Sequence, residues 1–85
     1  MTWSNIYNME QLGAFLKAER RARGYTQAEY ARLIGVSHAT LSTLENGSAV
    51  STGTLERALQ LLGLRLVVVP RTAQVAVREQ QPEEE

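Results

Sequence analysis

Residues 26–47 read TQAEYARLIGVSHATLSTLENG, and the punctuation of this stretch decides the fold. Thr26 with Glu29 three positions later fits a capping box, in which the hydroxyl and the carboxylate each satisfy a backbone N–H left unpaired by the first helical turn. A helix is therefore predicted from Gln27 to about Ile34. Gly35 follows where a helix C-terminus favours a left-handed residue, and only two positions later Ser37 can cap a new helix. Val36 before that cap and Leu41 after it match a hydrophobic staple, which fixes the angle at which the chain departs. The second helix is predicted over His38 to Glu45, stopped by Asn46-Gly47. Two short helices thus meet across a tight turn.

Working outward, Met9, Leu12, Phe15, Leu16 and Ala22 recur at spacings of three and four, with Lys17, Arg20, Arg21 and Arg23 supplying charge. This predicts an amphipathic helix from Met9 to about Arg23, ended by Gly24. Downstream, a cap at Ser51 or Thr52 precedes Leu55, Ala58, Leu59 and Leu62, one apolar face of a further helix that ends at Gly63. The texture then changes. Leu64-Arg65-Leu66-Val67-Val68-Val69-Pro70 is β-branched, short and bounded by Gly and Pro, and reads as a strand with no partner in its own chain. The remainder, Arg71 to Glu85, alternates weakly at Val75 and Val77 and closes on EQQPEEE, which cannot bury a core and is expected to be mostly disordered. The expected organisation is a mostly α domain of four to five helices over residues 1–63, a strand at 64–70 and an acidic tail at 71–85.

An 85-residue chain has room for one compact unit. So short a chain buries too little surface for comfort and needs a staple, a metal or a partner. Cysteine is absent and His38 is the only histidine, so disulfides and a metal site are excluded and no cofactor is expected; oligomerisation is left. The N-terminus MTWSNIYN has neither the charged nor the apolar region of a secretion signal, and Leu66–Val69 falls far short of the roughly 20 apolar residues of a membrane span. A soluble, cytoplasmic protein is expected. Net charge is zero, yet residues 1–75 hold eight Lys/Arg against five Glu (+3), while 76–85 hold Arg78 against Glu79, Glu83, Glu84 and Glu85 (−3). A mildly basic domain carries an acidic tail, and a basic domain is what a nucleic-acid reader requires.

Two short helices joined by a turn of three to four residues containing Gly are the architecture of helix-turn-helix DNA readers. Gln27, Ala31, Gly35, Leu41, Leu44, Glu45, Asn46 and Gly47 together resemble the Cro and phage-repressor (XRE-type) helix-turn-helix family at that family's spacings. The resemblance covers about residues 10–63 and implies a lambda-repressor-like fold that reads double-stranded DNA. Ala31 is small enough for close helix approach, and Gly35 permits the positive φ of the turn. Gln27 resembles the family glutamine that holds a phosphate and braces the recognition helix.

The helix over His38–Glu45 would enter the major groove by its N-terminal end, making Ser37, His38, Ala39, Ser42 and Thr43 the side chains able to reach bases or phosphates. His38 could donate or accept toward a purine edge, Ala39 or Thr43 could touch a thymine methyl, and Ser37 could contact phosphate. Asn46 with the Gly47-Ser48 backbone is implied as a phosphate contact by the resemblance, and Arg23 and Arg32 are further candidates. Arg20 and Glu45 occupy positions at which family members often form a partly buried ion pair, so both are read as structural.

An edge strand rich in valine seeks another strand, and the simplest closed solution is an antiparallel pair across a two-fold axis. Leu64, Leu66, Val67, Val68 and Val69 are the dimerisation candidates, and a dimer would read a pseudo-palindromic operator with half-sites about 34 Å apart. The whole layout, helices followed by GLRLVVVP, resembles the HipB-type antitoxins. That resemblance implies a repressor of its own toxin-antitoxin operon, with a HipA-type serine/threonine kinase toxin as a partner. A stand-alone regulator of the same type, or a protein-interaction adaptor that no longer binds DNA, are the other readings. An enzyme is not expected: Ser37 or Ser42 beside His38 is the only conceivable nucleophile and base, no third group orients them, no glycine-rich phosphate loop occurs, and Asp is absent.

Overall fold

The computed structural model describes residues 3–78. Four helices follow in order: α1 (Met9–Ala22), α2 (Gln27–Ile34), α3 (His38–Glu45) and α4 (Thr52–Leu61). Each begins on a polar side chain that accepts a hydrogen bond from an N–H of its own first turn: Asn8 from Gln11, Thr26 from Glu29, Ser37 from Thr40 and Ser51 from Thr54. The capping box is complete, since the Glu29 carboxylate accepts the Thr26 N–H in return at 3.0 Å. That same backbone hydrogen bond is the main reason the Glu29 carboxyl lies below its ordinary range.

The predicted bounds of α2 and α3 coincide with the observed ones, and α4 takes Ser51 as its cap. Gly35 adopts φ +73 with no atom within 4 Å of the place a Cβ would occupy, so its backbone conformation alone calls for glycine. The Val36 N–H then returns to the Ala31 carbonyl at 3.0 Å and closes the end of α2.

The core is one cluster drawn from every helix: Leu12 and Leu16 of α1, Tyr30, Ala31 and Ile34 of α2, Leu41 and Leu44 of α3, and Ala58, Leu59 and the following Leu62 from α4. Met9 and Ala22, expected on the apolar face of α1, are exposed instead. They stand at the first and last positions of that helix. Three arginines brace the ends of neighbouring segments. Arg20 donates to the Tyr25 carbonyl (2.7 Å), Arg23 to that of Leu62 (2.9 Å) and Arg57 to that of Ile34 (2.8 Å). These carbonyls lie at or just past helix ends, where intrahelical partners run out.

Tyr30 is 2% exposed, and its hydroxyl donates to the Ala58 carbonyl in the last turn of α4. Burial, and secondarily the charge of Glu45, push its phenol up to about 12. An unfolded tyrosine titrates near 10, so the folded chain holds this proton more tightly than the unfolded one. The resulting stability is complete below about pH 10 and is lost as the pH climbs toward 12. Denaturant titrations between pH 9 and 12 should show that alkaline loss. Tyr30→Phe should flatten it, at a cost of about 1–2 kcal/mol at neutral pH for the carbonyl left without its donor. A wild-type alkaline limb that persists in Tyr30→Phe would assign the loss to another group.

Among the described residues there is no β-strand. The Leu64 N–H closes on the Leu59 carbonyl at 2.9 Å, and Leu66, Val67, Val68 and Val69 then run exposed, Val68 to 90%. The strand predicted over residues 64–70 is thus an unpaired segment within one chain. A strand is defined by ladder hydrogen bonds, and a chain contributing one β-prone segment has nothing of its own to pair it with. The turn at Arg71–Thr72 follows, with the Ala73 N–H on the Pro70 carbonyl. Residues 79–85, most of the acidic end of the tail, lie outside the described residues. No described helix is long and apolar enough to cross a membrane.

Candidate nucleic-acid interface

The outer face of α3 follows from its sequence HATLSTLE: Leu41, Leu44 and Glu45 turn inward, leaving His38 and Ala39 exposed and Ser42 and Thr43 half-buried. Glu45 carries the only formal charge of the helix apart from the titratable His38, and it is buried. The outer face is therefore short, small and almost uncharged, a shape suited to a groove lined with base edges.

Two of the candidate hydroxyls already have intramolecular work. Ser37 Oγ accepts the Thr40 N–H at 3.0 Å and donates to Thr40 Oγ1 at 2.9 Å, so it caps the helix. Thr43 Oγ1 donates to the Ala39 carbonyl at 2.9 Å, a back-bond that leaves its hydroxyl only lone pairs to offer. Ser42 makes no side-chain hydrogen bond among the described residues. Asn46 is the C-cap of α3 and is exposed, its N–H on the Ser42 carbonyl at 2.9 Å. Arg32 is exposed in the last turn of α2. Arg23 is more committed: its guanidinium holds the Glu19 carboxylate (2.5 Å) as well as the Leu62 carbonyl.

Beneath this face runs a chain of hydrogen bonds that links three helices. Arg20 of α1 meets Glu45 of α3 in a two-pronged pair, Nε to Oε2 at 2.6 Å and Nη2 to Oε1 at 3.1 Å, with the two side chains 6% and 2% exposed. Glu45 Oε1 also accepts from Gln27 Nε2 of α2 at 2.9 Å. Gln27 Oε1 in turn meets His38 Nε2 at 2.6 Å. The expected ion pair is present and more deeply buried than a surface pair. The pair adjoins Gln27 and His38, which stand eleven positions apart, and no local periodicity reveals that these two touch. The structure assembles Gln27 and His38 into one unit, with Arg20 and Glu45 as its inner end.

Close packing of α1 against the end of α3 sets this arrangement. A Cβ at Gly13 would collide with the Leu44 carbonyl oxygen and stand 2.7 Å from that of Glu45, and one at Gly47 (φ +85) would stand 2.5 Å from the Glu10 Cα. Gly13 escaped the sequence reading because a lone glycine within a helical pattern carries no sign of what it faces. Arg57 escaped it too, since an arginine on the polar side of α4 looks like any solvated charge.

Comparison with known proteins places these features in context. A family model described as a helix-turn-helix domain matches residues 11–71. Antitoxin HipB of Escherichia coli (strain K12) is 36% identical over 69 residues, 80% of this chain and 78% of that protein. The ImmF control region 10 kDa protein of Bacillus phage phi105 is 38% identical over 71 residues, 82% of this chain and 79% of that protein. Among solved structures, a HipB–O4 20mer complex contains a chain of TM-score 0.72 and 32% identity, matched over 82% of this chain and 100% of that one. A chain from a HipA–HipB–O2–O3 complex matches with the same values.

Proposed function

The chain belongs to the helix-turn-helix domain family, among relatives that include the HipB antitoxins, and from this we infer that it is a sequence-specific DNA-binding repressor and the antitoxin of a HipA/HipB-type operon. One observation carries the reading. At a TM-score of 0.72, 82% of this chain matches the full length of chains from complexes named for HipB with a 20mer and for HipA with HipB. The chain works by binding and not by catalysis, α3 entering the major groove of an operator while Gln27, Asn46 and Arg32 hold phosphates. Ser37, His38, Ala39, Ser42 and Thr43 form the reading face, with Ser37 and Thr43 also shaping their own helix. Arg23 ranks last among the phosphate candidates because its guanidinium already holds Glu19 and Leu62.

Dimerisation runs through Leu64, Leu66, Val67, Val68 and Val69, five apolar residues that the single chain leaves half-buried or exposed. Two such segments paired across a two-fold axis would satisfy each other's backbone and set two α3 helices about 34 Å apart on a pseudo-palindromic site. A HipA-type kinase is the protein partner, and the work is done in the cytoplasm on the nucleoid.

The test is fluorescence anisotropy with DNA from upstream of the protein's own gene, against scrambled competitor, at about 50 and 200 mM salt. Specific binding should weaken steeply with salt, because each phosphate neutralised releases counterions. Val68→Lys in the same assay should yield monomers by light scattering and lose most of the specific affinity. No preference over competitor would favour the protein-interaction adaptor, and persistent dimers of Val68→Lys would move the interface elsewhere.

A further inference from the structure

We propose that His38 selects its base pair as a hydrogen-bond acceptor, because the chain from Arg20 through Glu45 and Gln27 fixes which ring nitrogen carries the proton. This rests on the DNA-reading function above and adds the chemistry of one contact. An ionised carboxylate only accepts hydrogen bonds. Glu45 is paired with Arg20, so the group Gln27 turns toward it at 2.9 Å is the amide NH₂. The opposite orientation would set the amide oxygen against carboxylate oxygen. With NH₂ inward, Oε1 faces His38, and an amide oxygen cannot donate. The proton in the 2.6 Å contact therefore belongs to His38 Nε2.

A neutral imidazole has one such proton. Its Nδ1 is then a bare lone pair, and among the described residues no protein group donates to it. The ring is exposed at the first residue of α3, the end that enters the major groove in this motif. In that groove adenine offers its N6 amino group and cytosine its N4 amino group, whereas guanine and thymine present O6, N7 and O4, which would meet Nδ1 lone pair to lone pair. His38 accordingly favours a base with an exocyclic amino group on the contacted strand. Gln27 is the positioning residue: it need not touch that base to decide what His38 can read.

The experiment has two arms, both run near pH 8. In the free protein, ¹⁵N NMR of the single histidine should show Nε2 protonated and Nδ1 bare, with Gln27→Leu relaxing the ring to a mixture of tautomers. A proton on Nδ1 in the wild type overturns the proposal whatever the DNA does. In the second arm, every adenine and cytosine of the bound site is varied singly. At one position per half-site, replacing adenine by purine or cytosine by 2-pyrimidinone, which deletes only the exocyclic amino group, should weaken binding by roughly 3- to 10-fold, the range of one hydrogen bond. That loss should vanish in His38→Ala and leave the other positions unchanged. Equal binding with and without the amino group at every position, or an unaltered loss in His38→Ala, overturns it. A wild type that favours no sequence over competitor overturns the DNA reading itself, and with it the base selection. That failure is told apart from the others because the tautomer is read without DNA.

Discussion

Arg20→Ala should lower the stability of the folded chain by about 3–5 kcal/mol, the loss characteristic of a buried charge deprived of its partner. The Glu45 carboxylate, 2% exposed as a side chain, would keep one hydrogen bond from Gln27 and lose both from arginine. The Tyr25 carbonyl would lose its donor as well. Against a total of about 5–15 kcal/mol for a natural domain, most of the margin disappears. For a chain of this length each kcal/mol corresponds to about 4–8 °C, so the thermal midpoint followed by circular dichroism should fall by roughly 12–40 °C. A fall under 5 °C would mean that water reaches Glu45 and that the pair behaves like one on the surface.

A second variant separates stability from recognition. Replacing both partners, Arg20→Met with Glu45→Leu, removes the charge and its desolvation together, and such exchanges are often neutral or stabilising. The double variant should recover much of the lost midpoint. DNA recognition should not recover with it, because Gln27 loses the acceptor that orients its amide and His38 loses a defined partner. Recovery of both properties would show that the ion pair serves folding alone.

The contrast between these residues shows what could be read in advance. Capping and periodicity are local, so Thr26, Glu29, Gly35 and Ser37 announced α2, the turn and α3 within the span of a few residues, and the bounds followed. The valine-rich segment announced its β-preference equally well, but whether it forms a strand depends on a partner outside the single chain. The site was legible as a face and not as a network. Which residues leave the core is written in the spacing of Leu41 and Leu44. Ser37 spends its hydroxyl on Thr40 within one turn of its own helix, but that Arg23 is tied to Leu62 and that Gln27 spans from Glu45 to His38 depend on where separate helices meet. No short-range pattern encodes a crossing.

The crossing itself yields the last prediction, because Gly13→Ala should destabilise a helix that alanine ordinarily favours. Gly13 lies inside α1, where exchanging glycine for alanine stabilises by about 1 kcal/mol through helix propensity. Here the new methyl meets the Leu44 carbonyl oxygen and stands 2.7 Å from the Glu45 oxygen and 2.9 Å from the Glu45 carbonyl carbon. These are backbone atoms at the end of α3, which no rotamer change can move aside. Relief requires α1 and α3 to separate, and overpacking of this kind costs about 1–3 kcal/mol, occasionally more. Set against the propensity gain, this leaves an expected net loss of about 1–2 kcal/mol in urea denaturation. Gly53→Ala is the control, since it makes the same exchange near the start of α4, where the nearest atom is Arg57 Nη1 at an ordinary 3.5 Å. It should be neutral or stabilise by up to about 1 kcal/mol. Opposite signs for the two substitutions would locate the tight contact at the α1–α3 crossing. A stabilising Gly13→Ala would mean that the helices part at little cost, and that Glu45, carried on the same backbone, is held by Arg20 and not by the packing of α1.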